Sequence, residues 1–125
     1  MFETGTSATV RSFHVMPGMP PPEGERHSHD YRFDVVVTRD ELDERGMVVD
    51  LDVLDDALTD LTTRLDGADL DAIVGPDTGA EAVTVEVFAQ WVHAQLAKAL
   101  SGGVTLGVRV FENATAFGGY RAPLA

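Results

Sequence analysis

The chain has 125 residues, 44% of them hydrophobic and 24% charged, a composition that is typical of a single globular domain over 1–125. Its net charge of −12 at pH 7 argues against a nucleic-acid partner, because few cations are available to displace the counterions of a phosphate backbone. The absence of cysteine excludes disulfides and thiolate ligands. No apolar run approaches the ~20 residues that cross a bilayer, and the first residues do not resemble a secretory signal, so we expect a cytoplasmic protein with no membrane partner.

The acidic residues are mostly aspartates, and Lys98 is the only lysine, since the other cations are arginines. A surface with this much like charge repels itself in dilute buffer and needs salt to screen it. We interpret the composition as a halophilic adaptation to a salty cytoplasm, with an ordinary solvated acidic face as the alternative.

The predicted elements begin with two strands joined by a loop. Residues 7–16 and 27–38 are rich in β-forming side chains and predict strands. Residues 16–25 contain four prolines and two glycines and predict a loop. A charged turn follows the second strand, and the short apolar segment 47–51 is predicted to return along the fold.

Two helices are predicted next. The first follows Asp52, because leucines recur at helical spacing: Leu54, Leu58, Leu61 and Leu65. Residues 65–79 are predicted to be a loop with at most one turn of structure. The second helix ends near Leu100 and begins at Thr84, or earlier at Thr78 if the capping pattern there is used. Its predicted inward face consists of Val85, Phe88, Val92 and Leu96.

Two further strands, at 104–113 and 118–124, complete the chain. The order strand, strand, helix, helix, strand, strand favours antiparallel pairing, since consecutive strands are joined by turns. We therefore predict an α+β fold in which two helices cover one face of a four-stranded antiparallel sheet.

Three of the four histidines lie on the first two predicted strands. His27 and His29 are two residues apart in a strand, so their side chains project from the same face. His14 lies on the preceding strand, and a third imidazole would complete the protein ligands of a catalytic zinc, which keeps one position open. His93, in the middle of a helix, is a poor candidate. On these residues alone, a polar strand surface without metal is the alternative.

Five segments, in order along the chain, resemble the conserved blocks of the 6-pyruvoyl- and 6-carboxy-tetrahydropterin synthases. SFHVMPG…EGERHSHDYRF is similar to a histidine, a Pro/Gly loop and Cys-x-x-x-His-Gly-His-x-Tyr. GMVVDLDVL and RLDGADLDAI resemble the family's Gly-x-hydrophobic-hydrophobic-Asp and Leu-Asp-His-x-x-Leu-Asn segments. VTVEVFAQWV resembles Pro-Thr-x-Glu-x-x-Ala-x-Trp, and VRVFENATAFGGY resembles the last strands.

The resemblance implies a tunnelling fold (T-fold), in which subunits join their sheets into a barrel as trimers or hexamers. It also implies a catalytic Zn²⁺ on His14, His27 and His29 and the pterin 7,8-dihydroneopterin triphosphate as substrate. Glu112 matches the glutamate that binds the pterin edge, where two carboxylate oxygens meet two N–H donors. Thr84 matches a substrate-binding threonine, although an N-cap role alone would account for it.

Two positions depart from the family pattern. Glu23 stands where the usual catalytic cysteine is found, which resembles members that use a glutamate as general base and form 6-hydroxymethyl-dihydropterin; Glu25 is the second choice. Gly67 stands where the family has a proton-transferring histidine, so Asp66 has lost the group that it would orient. Another acid, such as Asp69, is an alternative proton carrier in place of that histidine. Besides a zinc-dependent lyase, these departures leave open a non-catalytic pterin- or purine-binding protein and a purely structural oligomer. The sequence also leaves open which product forms and whether the pathway is queuosine, folate or biopterin synthesis.

Overall fold

A computed structural model describes all residues, 1–125, as one antiparallel sheet covered by helices. Its elements in chain order are β1 (Phe2–His14), β2 (His27–Arg39), α1 (Leu51–Leu65), α2 (Leu70–Thr78), α3 (Val85–Ala97), β3 (Thr105–Phe111) and β4 (Phe117–Pro123). The predicted α+β class is confirmed. None of the three helices has the length and apolar character that a membrane span requires.

The sheet has the strand order β1-β2-β3-β4, and every neighbouring pair is antiparallel. Side chains alternate between its two faces. One face packs on the helices and contributes buried residues such as Val10, Phe33 and Val108. The other face has no layer over it within the chain. The register of β1 and β2 pairs His14 with His27, so the two strands meet at the end where the histidines lie.

The predicted leucine face of α1 is confirmed, because Leu54, Leu58, Leu61 and Leu65 are all buried. The Asp50 side chain caps this helix by accepting a hydrogen bond from the Asp52 N–H. α3 begins after Thr84, whose hydroxyl accepts from the Val87 N–H at 3.2 Å, and this chooses the later of the two predicted starts. Phe88, Val92 and Leu96 are buried as predicted, and Trp91 is buried with them.

The prediction of two helices is wrong. Residues 70–78, which were assigned to a loop, form an additional helix, α2, between the two predicted ones. Gly75 and Pro76 locally disfavour a helix, yet α2 includes both residues. Leu70 and Val74, one helical turn apart, are fully buried, and this tertiary packing outweighs the weak helix propensity of the segment. Gly79 ends the helix in the left-handed conformation with φ 66°.

Several boundaries also differ from the prediction; β3, for example, was predicted to reach residue 113 and ends at Phe111. The predicted apolar return at residues 47–51 is irregular as far as residue 50, and Val48 is buried against the core. β1 begins at Phe2 rather than at residue 7, because pairing with β2 continues as far as Phe2 opposite Arg39. α3 ends at Ala97 rather than Leu100, and the three residues after it continue as turns.

Candidate metal centre and substrate cleft

Three histidines converge where β1 ends and β2 begins. One possible ligand nitrogen from each of His14, His27 and His29 lies within 4.8 Å of the other two. The ring centroids are separated by 4.5 Å for His14 and His27 and by 4.9 Å for His27 and His29. The predicted juxtaposition of the three imidazoles is therefore present in the fold. His93 lies elsewhere, with its ring 4.9 Å from Tyr120.

Backbone carbonyls orient two of these rings. The Nδ1–H of His14 donates to the Val83 oxygen at 3.0 Å, and that of His27 donates to the Glu25 oxygen at 2.8 Å. Because a carbonyl can only accept, each Nδ1 carries a proton, and in the neutral ring this tautomer leaves the lone pair on Nε2. Both Nε2 atoms are buried and have no hydrogen-bond partner in the chain. Metal-ligating histidines are commonly oriented in this way.

Burial also favours the neutral form of two of the imidazoles, His14 and His29. Desolvation lowers the pKa of His14, and the positive charges of His27 and His29 add to this, while its hydrogen bond to Val83 opposes it. Desolvation likewise lowers the pKa of His29, against the opposing charges of Glu112 and Glu23. A neutral imidazole is the form that binds a metal ion. Three imidazole nitrogen donors without a thiolate could hold a metal ion such as zinc.

Two of the predicted glutamates approach this cluster. Glu112 follows β3 directly and is partly buried, and its charge acts on both His29 and Tyr31. Glu23 lies in the loop between β1 and β2, and its charge also acts on His29. The loop is closed by the Met16 N–H, which donates to the Glu23 carbonyl at 2.8 Å. Carboxylates from two distant parts of the chain thus act electrostatically on the same imidazole.

Asp66 and Thr84 are placed less directly. Asp66 is exposed at the C-terminal end of α1, where its N–H donates to the Thr62 carbonyl, and its side chain makes no hydrogen bond within the chain. Thr84 caps α3 and adjoins Val83, the residue whose carbonyl orients His14. Asp69 is paired with Arg26, with 2.6 Å between Oδ1 and Nε.

The structure adds two residues that the sequence analysis did not identify. Asp71 lies in the first turn of α2 and its Oδ2 accepts from the Val15 N–H at 2.9 Å, directly after His14. Tyr31 is buried on β2, with its ring 5.4 Å from that of His29. Its position two residues after His29 was a usable signal, since it lies on the same strand face. Asp71 gave no such signal because its helix was not predicted.

Comparisons with known proteins agree with this architecture. Residues 6–123 match the family model described as 6-pyruvoyl tetrahydropterin synthase. The fold is similar to the Caenorhabditis elegans 6-pyruvoyl tetrahydropterin synthase, with 17% identity, 97% of this chain and 95% of that chain covered, and a TM-score of 0.74. It is also similar to the Plasmodium falciparum enzyme, with 12% identity, 98% coverage of both chains and a TM-score of 0.75.

A third similar structure is a Plasmodium vivax 6-pyruvoyltetrahydropterin synthase described as a catalytic residue mutant, in which a glutamate is replaced by alanine. It shares 11% identity, with 98% of both chains covered and a TM-score of 0.76. A search of curated proteins finds no match to this sequence. At these identities the structures show a shared fold, whereas the family model covers nearly the whole chain. The chain therefore belongs to the 6-pyruvoyl tetrahydropterin synthase family.

Proposed function

We propose that this protein is a zinc-dependent lyase of pterin synthesis that acts on 7,8-dihydroneopterin triphosphate. The observation that carries the proposal is the pair of buried, unpartnered Nε2 atoms on His14 and His27, which lie beside His29 and are held by Nδ1 hydrogen bonds. Leaving two buried acceptors unpaired costs free energy unless something outside the chain satisfies them. A bound Zn²⁺ would do so and would act as a Lewis acid towards oxygens of the substrate.

Two residues near the histidines, Glu112 and Thr84, are proposed to bind different parts of the substrate. In this proposal Glu112 accepts two hydrogen bonds from N–H groups at the pterin edge, which is a charge-assisted arrangement. Its position beyond the end of β3 and its electrostatic effect on His29 support this role. Thr84, next to the carbonyl that holds His14, contributes a second polar contact at the cleft.

Glu23 is proposed as the general base that withdraws a proton from the substrate side chain. Its electrostatic effect on His29 and its position in the loop between β1 and β2 support this role. The Plasmodium vivax synthase of similar fold is described with a catalytic glutamate, which also supports this choice. With Glu23 as base, side-chain cleavage to 6-hydroxymethyl-dihydropterin is the proposed outcome.

Asp66 is retained in the proposal as a second acid at the edge of the site. It precedes Gly67, whose N–H donates to the Arg11 carbonyl at 2.8 Å and so fixes this loop against β1. Gly67 has φ +70° and offers open space where a side chain would project. That missing side chain favours the second candidate function, a pterin- or purine-binding protein without turnover.

We also propose a cytoplasmic homo-oligomer, a trimer or hexamer, in which the uncovered sheet face and its edge strands meet other copies. Phe2 on β1 and Phe117 on β4 are large apolar side chains that remain exposed on the edge strands. Arg109 and Arg121 lie on β3 and β4 without a carboxylate within ion-pair distance, while Glu3 lies on the opposite edge. These features favour contact with a second chain. Analytical sedimentation in high salt tests this oligomer. A monomer at micromolar concentration would contradict the proposal.

Identification of the product tests the function directly. The zinc-loaded protein, in high salt, is incubated with 7,8-dihydroneopterin triphosphate and the pterins are separated by mass. We expect 6-hydroxymethyl-dihydropterin, and the rate should fall at least ~100-fold in Glu23→Gln but remain unchanged in Glu25→Gln, since general-base catalysis contributes about 10²–10⁴-fold. Unchanged substrate together with measurable pterin binding would support the non-catalytic candidate. Full activity in Glu23→Gln would contradict the role of that glutamate alone.

A further inference from the structure

We propose that the Tyr31 hydroxyl is a substrate-binding group that donates a hydrogen bond to an oxygen on the side chain of the pterin. This inference rests on the proposed function. It assigns a role to Tyr31, for which the family resemblance gave none. Tyr31 lies on β2 two residues after His29 and four after His27, so the three side chains project from the same face.

Packing fixes the position of the phenol ring. The ring is edge-on to His29 at 5.4 Å and to His14 at 6.2 Å between centroids. On its other side it is edge-on to Phe88 of α3 at 5.1 Å. Tyr31 is 1% exposed, so its ring has little freedom to turn away from the histidines. The core of the protein therefore holds the phenol ring beside the three histidines.

The hydroxyl has no hydrogen-bond partner within the chain, although a buried tyrosine hydroxyl usually has one. It is also absent from the three side-chain atoms that are both unpaired and sealed from solvent, which are His14 Nε2, His27 Nε2 and Thr38 Oγ1. This hydroxyl therefore keeps some contact with solvent. With a metal ion on the two Nε2 atoms, the hydroxyl remains as a donor for a molecule bound beside them.

The charges around Tyr31 determine what it can do. A tyrosine hydroxyl is protonated at neutral pH, so the group is an O–H donor. The other side chains that act on this region, Glu112, Glu23 and Asp71, are acidic and accept hydrogen bonds when ionised.

A substrate oxygen that gains negative charge as its proton leaves needs a donor, and preorganised donors at such positions are effective. The Thr84 hydroxyl accepts from the Val87 N–H and keeps its own proton, so it can supply one such donor. Gly67, at the family's histidine position, has no side chain to supply one. Tyr31 supplies such a donor from β2, the strand that carries His27 and His29. The ligand class that it recognises is a pterin whose side chain carries an oxygen on the carbon attached to the ring.

The test compares Tyr31→Phe with Tyr120→Phe, the only other tyrosine, whose ring packs on His93 away from the cleft. The two probes are neopterin, which has a hydroxylated side chain, and pterin without that side chain, and dissociation constants are measured by fluorescence quenching on the zinc-loaded protein. We expect Tyr31→Phe to bind neopterin about tenfold more weakly and unsubstituted pterin equally well, since one hydrogen bond is lost. Tyr120→Phe should match the unaltered protein with both probes.

Several results separate this inference from the proposed function. Unchanged metal content and melting temperature in Tyr31→Phe show that the ring packing is intact. Equal affinity of Tyr31→Phe and the unaltered protein for neopterin would overturn the role of Tyr31 while leaving the proposed function in place. Equal weakening for both probes would also overturn it, because the hydroxyl would then not act on the side chain. If the unaltered protein binds neither probe, the proposed function itself fails.

Discussion

The Nδ1 of His14 lies 3.0 Å from the backbone oxygen of Val83, so a residue at the end of β1 is oriented by the residue that precedes the cap of α3. The two positions are 69 residues apart in the chain. This bond orients a candidate metal ligand only after the sheet and α3 have packed together. Metal binding at this site would therefore be coupled to the stability of the helical layer.

Replacing His27 by alanine should abolish stoichiometric metal binding. The variant loses one of three nitrogen donors, and removing a ligand costs more than the 10–100-fold reduction in affinity that follows from outer-shell changes. Metal analysis of protein dialysed against zinc in high salt should fall from about one ion per chain to background. The control is His93→Gln, which lies outside the cluster and should retain its zinc. Retention of a full zinc equivalent by His27→Ala would exclude the three-histidine site.

Asp71 should support metal binding through the backbone of β1. Its Oδ2 accepts from the Val15 N–H, next to His14, so Asp71→Ala should loosen this ligand and weaken zinc affinity by about tenfold in a chelator competition assay. Asp71→Asn is the matched control, because its amide oxygen can still accept the same bond. If the two variants weaken zinc binding equally, the charge of Asp71 rather than this hydrogen bond is responsible.

The metal-free protein should lose stability in mild acid because of His14 and His29. Burial lowers the pKa of both rings, so the unfolded chain takes up protons at a higher pH than the folded chain does. The free energy of unfolding contributed by these rings is fully present above about pH 6.5, the ordinary pKa of histidine. It decreases as the pH falls from there through the lower, folded pKa values.

Denaturant unfolding at pH 7.5 and pH 5.0, in high salt, measures this effect. Protonation of surface carboxylates relieves repulsion in a chain of net charge −12 and acts in the opposite direction, so the comparison needs a reference. The double variant His14→Gln/His29→Gln provides it. We expect the unaltered protein to lose more stability between the two pH values than this variant does. Identical pH dependences would show that the rings titrate normally in the folded protein.

Replacing Leu70 by alanine should test the importance of α2. Leu70 is fully buried, and a buried leucine replaced by alanine typically costs about 2–5 kcal/mol of unfolding free energy. Val53→Ala, at a side chain that is 42% exposed on α1, should change stability by less than about 0.5 kcal/mol. Urea unfolding in high salt measures both. A small effect at Leu70 would mean that α2 packs loosely on the sheet.

The sequence was sufficient wherever structure follows from local periodicity. Alternating side chains located β2 and placed His27 and His29 on one face, and the leucine spacing located α1. The family blocks led to the shared architecture because each block keeps its order along the chain. The convergence of His14 with His27 and His29 followed from the same strand pattern once the two strands were expected to pair.

Tertiary structure decided the features that depend on distant contacts. Gly75 and Pro76 argue locally against a helix, and only the burial of Leu70 and Val74 against the rest of the core makes α2 stable. The sequence likewise could not show that Val83 holds the His14 ring or that the Tyr31 hydroxyl is left unpaired. Hydrogen-bond partners are set by which surfaces meet after packing, and periodicity along the chain carries no information about those meetings.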